Sequence, residues 1–173
     1  MKKSKLITVA IDSPAAAGAG TQAKMIAKNY NLLHLDTGRI YRLIGKMRLK
    51  NPKNFKYSII QNRINKLRLK DLKNKSLLTD KVATSASIIA KDKKIRNIVL
   101  KFQKKCAYSP PKKYNGSVLD GRDITSVILK DAMFKFFINA SIKTRARRRF
   151  REFQIIGKKI TYKEVLKSHE KRD

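Results

Sequence analysis

A run of small residues, SPAAAGAG at positions 13–20, is the part of this sequence best suited to bind an anion. None of its side chains is larger than proline, so its backbone N–H groups can come close to a phosphate. A helix that starts at about Gly18 directs its positive end to the same place. With the apolar run 6–11 before it, the stretch has the strand, loop and helix order of a phosphate-binding P-loop.

The loop departs from the standard P-loop pattern G-x-x-x-x-G-K-[ST]. Ser13 stands at the first glycine and Ala19 at the lysine, while Gly18 is retained. Loss of one positioned charge donor costs on the order of 100- to 1000-fold in rate. Lys24 lies roughly 140° around the helix from position 19, so we expect it to point away from the loop. An arginine from elsewhere is the better substitute, and a strand-to-helix turn without a ligand remains an alternative.

Three further groups of residues could bind phosphate or position a nucleotide. DTGRIYR at 36–42 follows one short apolar segment, and DGRD at 120–123 follows another. The carboxyl ends of parallel strands are where open sheets bind their ligands. A segment at 141–153 is dense in arginine, whose planar guanidinium suits phosphate oxygens. Taken singly, such groups are equally compatible with a turn or a solvated helix face.

These groups need a sheet and helices to position them. Apolar runs predict strands at 6–11, 31–35, 117–119 and 134–139. Helical spacing predicts helices at 22–30, after Gly38 towards 49, and at 55–69, 79–92, 94–108 and 141–153, with a loop at 72–78. Thr161 and Glu164 predict a capping box for a last helix. Strands that alternate with helices indicate an α/β domain with a mainly parallel sheet.

Composition limits the function classes. The 173 residues predict one domain, and no apolar run reaches the length of about 18 residues that a membrane span needs. The single Cys106 fits a reducing cytosol, and neither His34 nor His169 has a second ligand at metal spacing. The chain has 43 Lys and Arg against 12 Asp and Glu. This charge fits either compositional bias towards lysine or a nucleic-acid binder, although no nucleic-acid-binding motif accompanies it.

In their order, the segments AIDSPAAAGAGTQAK, LDTGRIYR, VATSASIIAKDKKIR, VLDGRDITSVI and RARRRF resemble bacterial cytidylate kinases, a family of P-loop nucleoside monophosphate kinases. LDTG-x-x-YR together with DGRD distinguishes this family from adenylate kinases. The resemblance covers residues 6–173. It implies a three-layer fold with a mainly parallel sheet between helices, and it implies phosphorylation of CMP and dCMP by ATP with Mg2+.

The resemblance also implies roles for individual residues. It implies that the ATP phosphates lie on Ser13, Pro14, Ala15, Ala16, Ala17, Gly18, Ala19, Gly20 and Thr21, with Thr21 also near Mg2+. It implies that CMP is bound by Asp36, Thr37, Arg42, Ser87, Arg96, Arg122 and Asp123. It implies that Ser87 and Arg96 contact the cytosine and phosphate ends of CMP and that Asp123 bonds the ribose. It also implies that Arg145, Arg148 and Arg149 lie where a mobile lid brings arginines over the transferring phosphate.

We therefore expect one kinase domain over 1–173, with its core at 6–50 and 79–140, a shortened nucleotide-binding insert at 51–78 and a lid at 145–173. Thr125 and Ser126 replace the glycine and threonine of the family pattern DGRDIGT, which restricts the backbone there. Family members continue beyond the last residue with a further strand and helix, so we expect strand 134–139 to be an exposed apolar edge. A cytoplasmic monomer is expected. A weak or inactive nucleotide binder and a basic nucleic-acid-binding protein are the alternatives.

Overall fold

The computed structural model describes residues 6–155 and 157–170, and it has a parallel sheet of four strands. The strands are β1 (Ile7–Asp12), β2 (Leu33–Asp36), β3 (Gly116–Gly121) and β4 (Phe134–Phe137). Their order is β2-β3-β1-β4, and each neighbouring pair is parallel. The predicted α/β class is confirmed.

Seven α-helices lie along the described residues. They are α1 (Ala19–Asn29), α2 (Gly38–Lys50), α3 (Tyr57–Asn65), α4 (Asp80–Ile89), α5 (Lys93–Tyr108), α6 (Ile142–Ile155) and α7 (Tyr162–Glu170). The sequence placed a longer helix at 55–69 and a loop at 72–78. Instead, α3 ends at Asn65, and two 3-10 helices, Leu69–Lys73 and Lys75–Leu78, follow it. The 72–78 segment also buries Leu72 and Leu77, so its short turns face the core.

Helices cover both faces of the sheet, because alternate residues of each buried strand point to opposite sides. Ala10 and Leu119 belong to the larger core, which includes residues of α2, α3 and α5. Val9, Ile11 and Val118 belong to a second core that includes residues of α1. The result is the three-layer arrangement that the sequence predicted.

The edge strand β4 differs from the other three strands, because all four of its residues are exposed. Phe134, Phe136 and Phe137 are 49%, 47% and 71% exposed. Its backbone pairs with β1. The expected apolar edge is therefore present, although the strand ends at Phe137, before the predicted Asn139.

Local signals account for where several helices begin and end. The side chain of Thr79 accepts a hydrogen bond from the amide of Val82 at the start of α4. Thr161 and Glu164 form the predicted reciprocal capping box at the start of α7. The helix α5 ends at Tyr108, directly before the Ser109-Pro110-Pro111 sequence that predicted a stop.

Candidate nucleotide-binding site

The small-residue loop joins the end of β1 to the start of α1. Ser13 donates from its amide to the carbonyl of Gly121 at 2.9 Å, which holds the loop beside the end of β3. Gly18 has a φ of 105°, a conformation that favours glycine, and the carbonyl of Gly18 accepts hydrogen bonds from the amides of Thr21 and Gln22. The chain thus turns sharply into α1 and places the first turn of that helix at the loop.

A cavity of about 390 Å³ lies over this loop. Every residue from Ser13 to Thr21 lines it, and so do Asp36 and Gly38 after β2 and Asp120, Gly121 and Arg122 at the end of β3. Lys24 also lines it, so the expectation that Lys24 points away from the loop is wrong. The ends of three neighbouring strands therefore share one concave, polar surface with the N-terminal end of a helix, which is favourable for a phosphate.

Two arginines of α6 contact carbonyl groups of the same loop, outside the described lining of this cavity. Arg145 is 4% exposed, and its Nε donates to the carbonyl of Ala140 at 2.9 Å while its Nη1 donates to that of Ala15 at 3.4 Å. Arg148 donates from Nη1 to the carbonyl of Ala17 at 2.9 Å. Positive charge from α6 therefore lies directly on the loop.

The turn after β2 is fixed to the end of β3. The Thr37 hydroxyl, which is buried, donates to the carbonyl of Asp120 at 2.8 Å. A Cβ on Gly121 would lie 2.4 Å from that hydroxyl oxygen, so this close approach requires glycine. The Asp36 carboxylate accepts hydrogen bonds from the amide and Nε of Arg39 at 3.3 and 3.2 Å. These contacts keep the DTGRIYR and DGRD segments adjacent.

A second charged group lies between α5 and the segment after β3. Arg96 forms an ion pair with Asp123, and its Nη1 donates to the carbonyl of Ala90 at 3.4 Å. Burial raises the pKa of the neighbouring Tyr41 hydroxyl, with Arg96 opposing that effect. Arg42 donates from Nη1 to the carbonyl of Leu77 at 3.0 Å. Arg96 of α5 is thus paired with the DGRD turn, whereas Arg42 of α2 is bonded to the segment that precedes α4.

Comparisons with known proteins agree with this geometry. A sequence model of the family described as cytidylate kinase matches residues 9–173. A cytidylate kinase of Bartonella tribocorum is 38% identical over 172 residues, covering 98% of this chain and 77% of the relative. A cytidylate kinase of Azorhizobium caulinodans is 39% identical over 165 residues, which cover 95% of this chain and 78% of the relative. A cytidylate kinase of Clostridium botulinum is 35% identical over 178 residues, which cover 96% of this chain and 80% of the relative. The chain belongs to the cytidylate kinase family.

Within this cytidylate kinase fold, the three predicted lid arginines do not act on one place. Arg145 and Arg148 contact the loop, whereas Arg149 pairs with Asp80 at 3.4 Å and with Glu152 at 2.7 Å. The guanidinium of Arg149 also lies 4.3 Å from the centre of the Phe153 ring. Its role at the transferring phosphate stays a prediction, and in this structure it joins α6 to the start of α4.

The predicted acceptor residues also divide between places. Asp36 and Arg122 line the cavity over the loop, while Arg42, Arg96 and Asp123 lie outside its described lining. Ser87 donates its hydroxyl to the carbonyl of Thr84 at 2.8 Å within α4. It lines a separate cavity of about 520 Å³ between α4 and the α6–α7 hairpin, which Arg149 and Phe153 also line. The described contacts therefore do not bring Ser87 to the phosphate loop.

Sequence reasoning missed the role of Asp12 at the end of β1. Its carboxylate is 5% exposed and accepts hydrogen bonds from the amides of Ile124 and Thr125 at 2.6 and 3.0 Å. The hydroxyl of Thr125 donates to it as well. The side chain at 125 is therefore accommodated by this carboxylate, in a π-helical turn that follows the DGRD segment. An aspartate that ends a buried strand was the available signal.

A second missed pair lies beneath the cavity. His34 Nε2 is 2.6 Å from Oδ1 of Asp120, and both side chains are mostly buried. The other oxygen, Oδ2, lies 3.5 Å from the position that a Cβ on Gly20 would occupy, so the carboxylate faces the first turn of α1. Within residues 6–155 and 157–170, no three His, Cys, Asp or Glu side chains are grouped to hold a metal by themselves. None of the helices described here is long and apolar enough to cross a membrane.

Proposed function

We propose that this member of the cytidylate kinase family transfers the γ-phosphoryl group of ATP to CMP and dCMP. A phosphate oxygen of the acceptor attacks the γ-phosphorus, the bond to the β–γ bridging oxygen breaks, and ADP leaves with CDP or dCDP as the second product. Such transfer depends on positioning and on cations near the equatorial oxygens. The observation that carries the proposal is that Arg145 and Arg148 hydrogen-bond the loop that would bind the phosphates.

In this proposal, the donor and the acceptor approach from the two sides of the strand ends. ATP binds through its phosphates to the backbone of residues 13–21, with the N-terminal end of α1 favouring the negative charge. The acceptor lies towards the ends of β2 and β3, with its contacts drawn from Asp36, Thr37, Arg42, Ser87, Arg96, Arg122 and Asp123. Arg145, Arg148 and Arg149 belong to the lid.

The residues at the start of α1 fit a magnesium ion that accompanies ATP. The exposed Thr21 lies on the first turn, and the Asp120 carboxylate faces that turn. Hydroxyl and carboxylate oxygens, with phosphate oxygens, are the ligands that Mg2+ prefers. When bound, the ion supplies positive charge to the phosphate oxygens, while the chain's own amides and guanidinium groups orient them.

The organisation that we propose around this reaction is a single kinase domain. Residues 51–78 are the shortened nucleotide-binding insert and 145–173 form the lid. We further propose a monomer that works in the cytoplasm, in pyrimidine nucleotide metabolism. The formal net charge of +31 would concentrate polyanionic substrates near the site.

A coupled assay of ADP release tests the function, with CMP, dCMP, UMP, AMP and GMP each offered as acceptor beside Mg-ATP. We expect CMP and dCMP to support release and the purines not to. Arg96→Ala should raise KM for CMP, because it breaks the ion pair with Asp123. Arg48→Ala is the control, because it removes the same charge from the last turn of α2, outside both the insert and the residues assigned to the acceptor.

The second candidate is a nucleotide binder with little turnover, and Ala19 favours it because the loop carries no cation of its own at that position. A CMP titration without ADP release would support this candidate and refute the kinase. The strong positive charge favours a third outcome, in which the chain binds a short RNA at moderate salt and excess CMP does not displace it. That result, together with neither ADP release nor CMP binding, would refute both nucleotide-based proposals.

A further inference from the structure

The phosphate loop has no cation at the position where the P-loop pattern has its lysine. Ala19 is the first residue of α1 and is 4% exposed. Its methyl group belongs to the small core that includes Val9 and Ile11 on β1. The loop itself therefore offers a phosphate its backbone amides and the helix end, which are partial charges rather than a full charge.

Arg148 brings a full positive charge to this place from another element. Its Nη1 donates to the carbonyl of Ala17 at 2.9 Å, and a Cβ on Gly18 would lie 3.3 Å from the same nitrogen. The guanidinium thus lies over the two residues that directly precede Ala19. The bond to Ala17 uses one of five N–H donors, and the residue is exposed, so other donors remain accessible to a ligand.

The neighbouring basic residues are less suited to this role. Arg145 is almost fully buried and holds the carbonyls of Ala140 and Ala15, so it fixes the start of α6 against the loop. Arg149 is engaged by Asp80 and Glu152 away from the loop. Lys24 lines the cavity and is the remaining competitor, although it lies more than one helical turn beyond Ala19.

We propose that Arg148 supplies to the ATP phosphates the positive charge that a P-loop lysine would otherwise supply. This inference rests on the proposed function of the site. Its consequence is that ATP binding and the docking of α6 on the loop are coupled, because the cation reaches the phosphates only while α6 is docked. A lysine on the loop would stay at the phosphates whatever the position of α6.

The test is a double-mutant cycle of Ala19→Lys and Arg148→Ala. For each variant, titration calorimetry without acceptor gives the Kd of Mg-ATP, and a turnover assay with CMP then gives kcat/KM. Arg148→Ala should lower kcat/KM on the order of 100- to 1000-fold and weaken ATP binding at least about tenfold. Ala19→Lys should restore most of that loss in the Arg148→Ala background. In the wild-type background it should bring a clearly smaller gain.

Equal effects of Ala19→Lys in the two backgrounds would overturn the proposal, because independent groups give additive free energies. Arg147→Ala is the matched control: it removes the same charge from the preceding exposed position of α6, whose side chain points about 100° away and has no described contact to the loop. A loss with Lys24→Ala that exceeds the loss with Arg148→Ala would assign the charge to Lys24 and also overturn it.

Two further measurements keep the test decisive. Thermal unfolding shows whether each variant is folded, since a lysine at 19 must leave a packed position. If Ala19→Lys does not fold, Arg148→Lys and Arg148→Met take its place. A charge role is supported if Arg148→Lys retains ATP affinity and Arg148→Met loses it. Equal loss of ATP affinity in both variants refutes a charge role. Because ATP binding is measured without acceptor, failure of CMP phosphorylation refutes the proposed function without changing this result.

Discussion

Thr125 provides a direct test of how the segment after β3 is held in place. Its amide and its hydroxyl both donate to the Asp12 carboxylate, which also accepts from the amide of Ile124. Thr125→Val keeps the shape and the amide bond and removes the hydroxyl bond alone. We therefore expect a loss of stability that reports one hydrogen bond to a buried carboxylate.

The size of this loss follows from the environment of the bond. A hydrogen bond to a charged group contributes about 1.5–3 kcal/mol. Asp12 is buried, but Thr125 is half-exposed, and the carboxylate keeps its two amide partners, so we expect about 2 kcal/mol from that range. For a chain of this size the melting temperature falls about 2–4 °C per kcal/mol, which gives a decrease of roughly 4–8 °C.

The assay is thermal and urea unfolding followed by circular dichroism. Ser126→Ala is the matched control, because it removes the exposed hydroxyl of the next residue in the same turn. Asp12→Asn should cost more than Thr125→Val, since an amide group cannot accept from all three donors. The reasoning fails if Thr125→Val changes the unfolding free energy by no more than Ser126→Ala does.

Three further predictions concern other parts of the fold. Burial raises the pKa of Cys106 to about 11, so native labelling by iodoacetamide at pH 8 should be at least about 100-fold slower than in urea; equal rates would contradict this. Gly45→Ala should lower the free energy of unfolding in urea by about 1–3 kcal/mol, because the added Cβ would lie 2.9 Å from the amide nitrogen of Ala86 on α4. An unchanged urea midpoint would show that α2 and α4 can move apart without cost. The Ile95 amide at the start of α5 lowers the pKa of Asp92 in the folded protein. The ionised Asp92 therefore stabilises the fold fully above the ordinary pKa of 3.8, and this stabilisation is lost as the pH falls through the lower pKa of the folded state. Asp92→Asn should flatten this part of the acid-unfolding curve, and a curve identical to that of the wild type would exclude the effect.

Local sequence determined much of the architecture. The run 6–11 and the small residues after it predicted β1, the loop and α1 because strand burial, small side chains and helix spacing are properties of neighbouring residues. Positions 69–78 were harder to predict. Their 3-10 turns exist because Leu72 and Leu77 reach a core made by distant helices, and periodicity within the segment carries no trace of that.

The partners of charged side chains could not be predicted from spacing. Arg148 and Arg149 are adjacent in a helix, so successive side chains point in directions about 100° apart and reach different neighbours. One contacts the loop and the other contacts Asp80, which lies 69 residues earlier in the chain. Asp12 likewise bonds amides 112 and 113 residues away. Such choices depend on the finished fold, because a charge pairs with whichever group packing brings near.

The contacts of the α6–α7 hairpin are those that the proposed role of this hairpin as a lid requires. Its apolar side chains, among them Phe153 and Val165, form a cluster of their own. Its described contacts with the phosphate loop are the hydrogen bonds of Arg145 and Arg148. Its described contacts with α4 are the ion pairs that Arg149 and Lys158 form with Asp80.

Partly exposed ion pairs of this kind contribute about 0–1 kcal/mol each. Moving the hairpin as a unit would therefore keep its own apolar cluster intact and break only weak ion pairs, and its main cost would be the buried hydrogen bonds of Arg145 at the start of α6. If Arg148 binds the ATP phosphates as proposed, a phosphate between Arg148 and the loop would add a favourable charge interaction in the docked position alone. The nucleotide would then shift the hairpin towards docking, and its loss would release the hairpin.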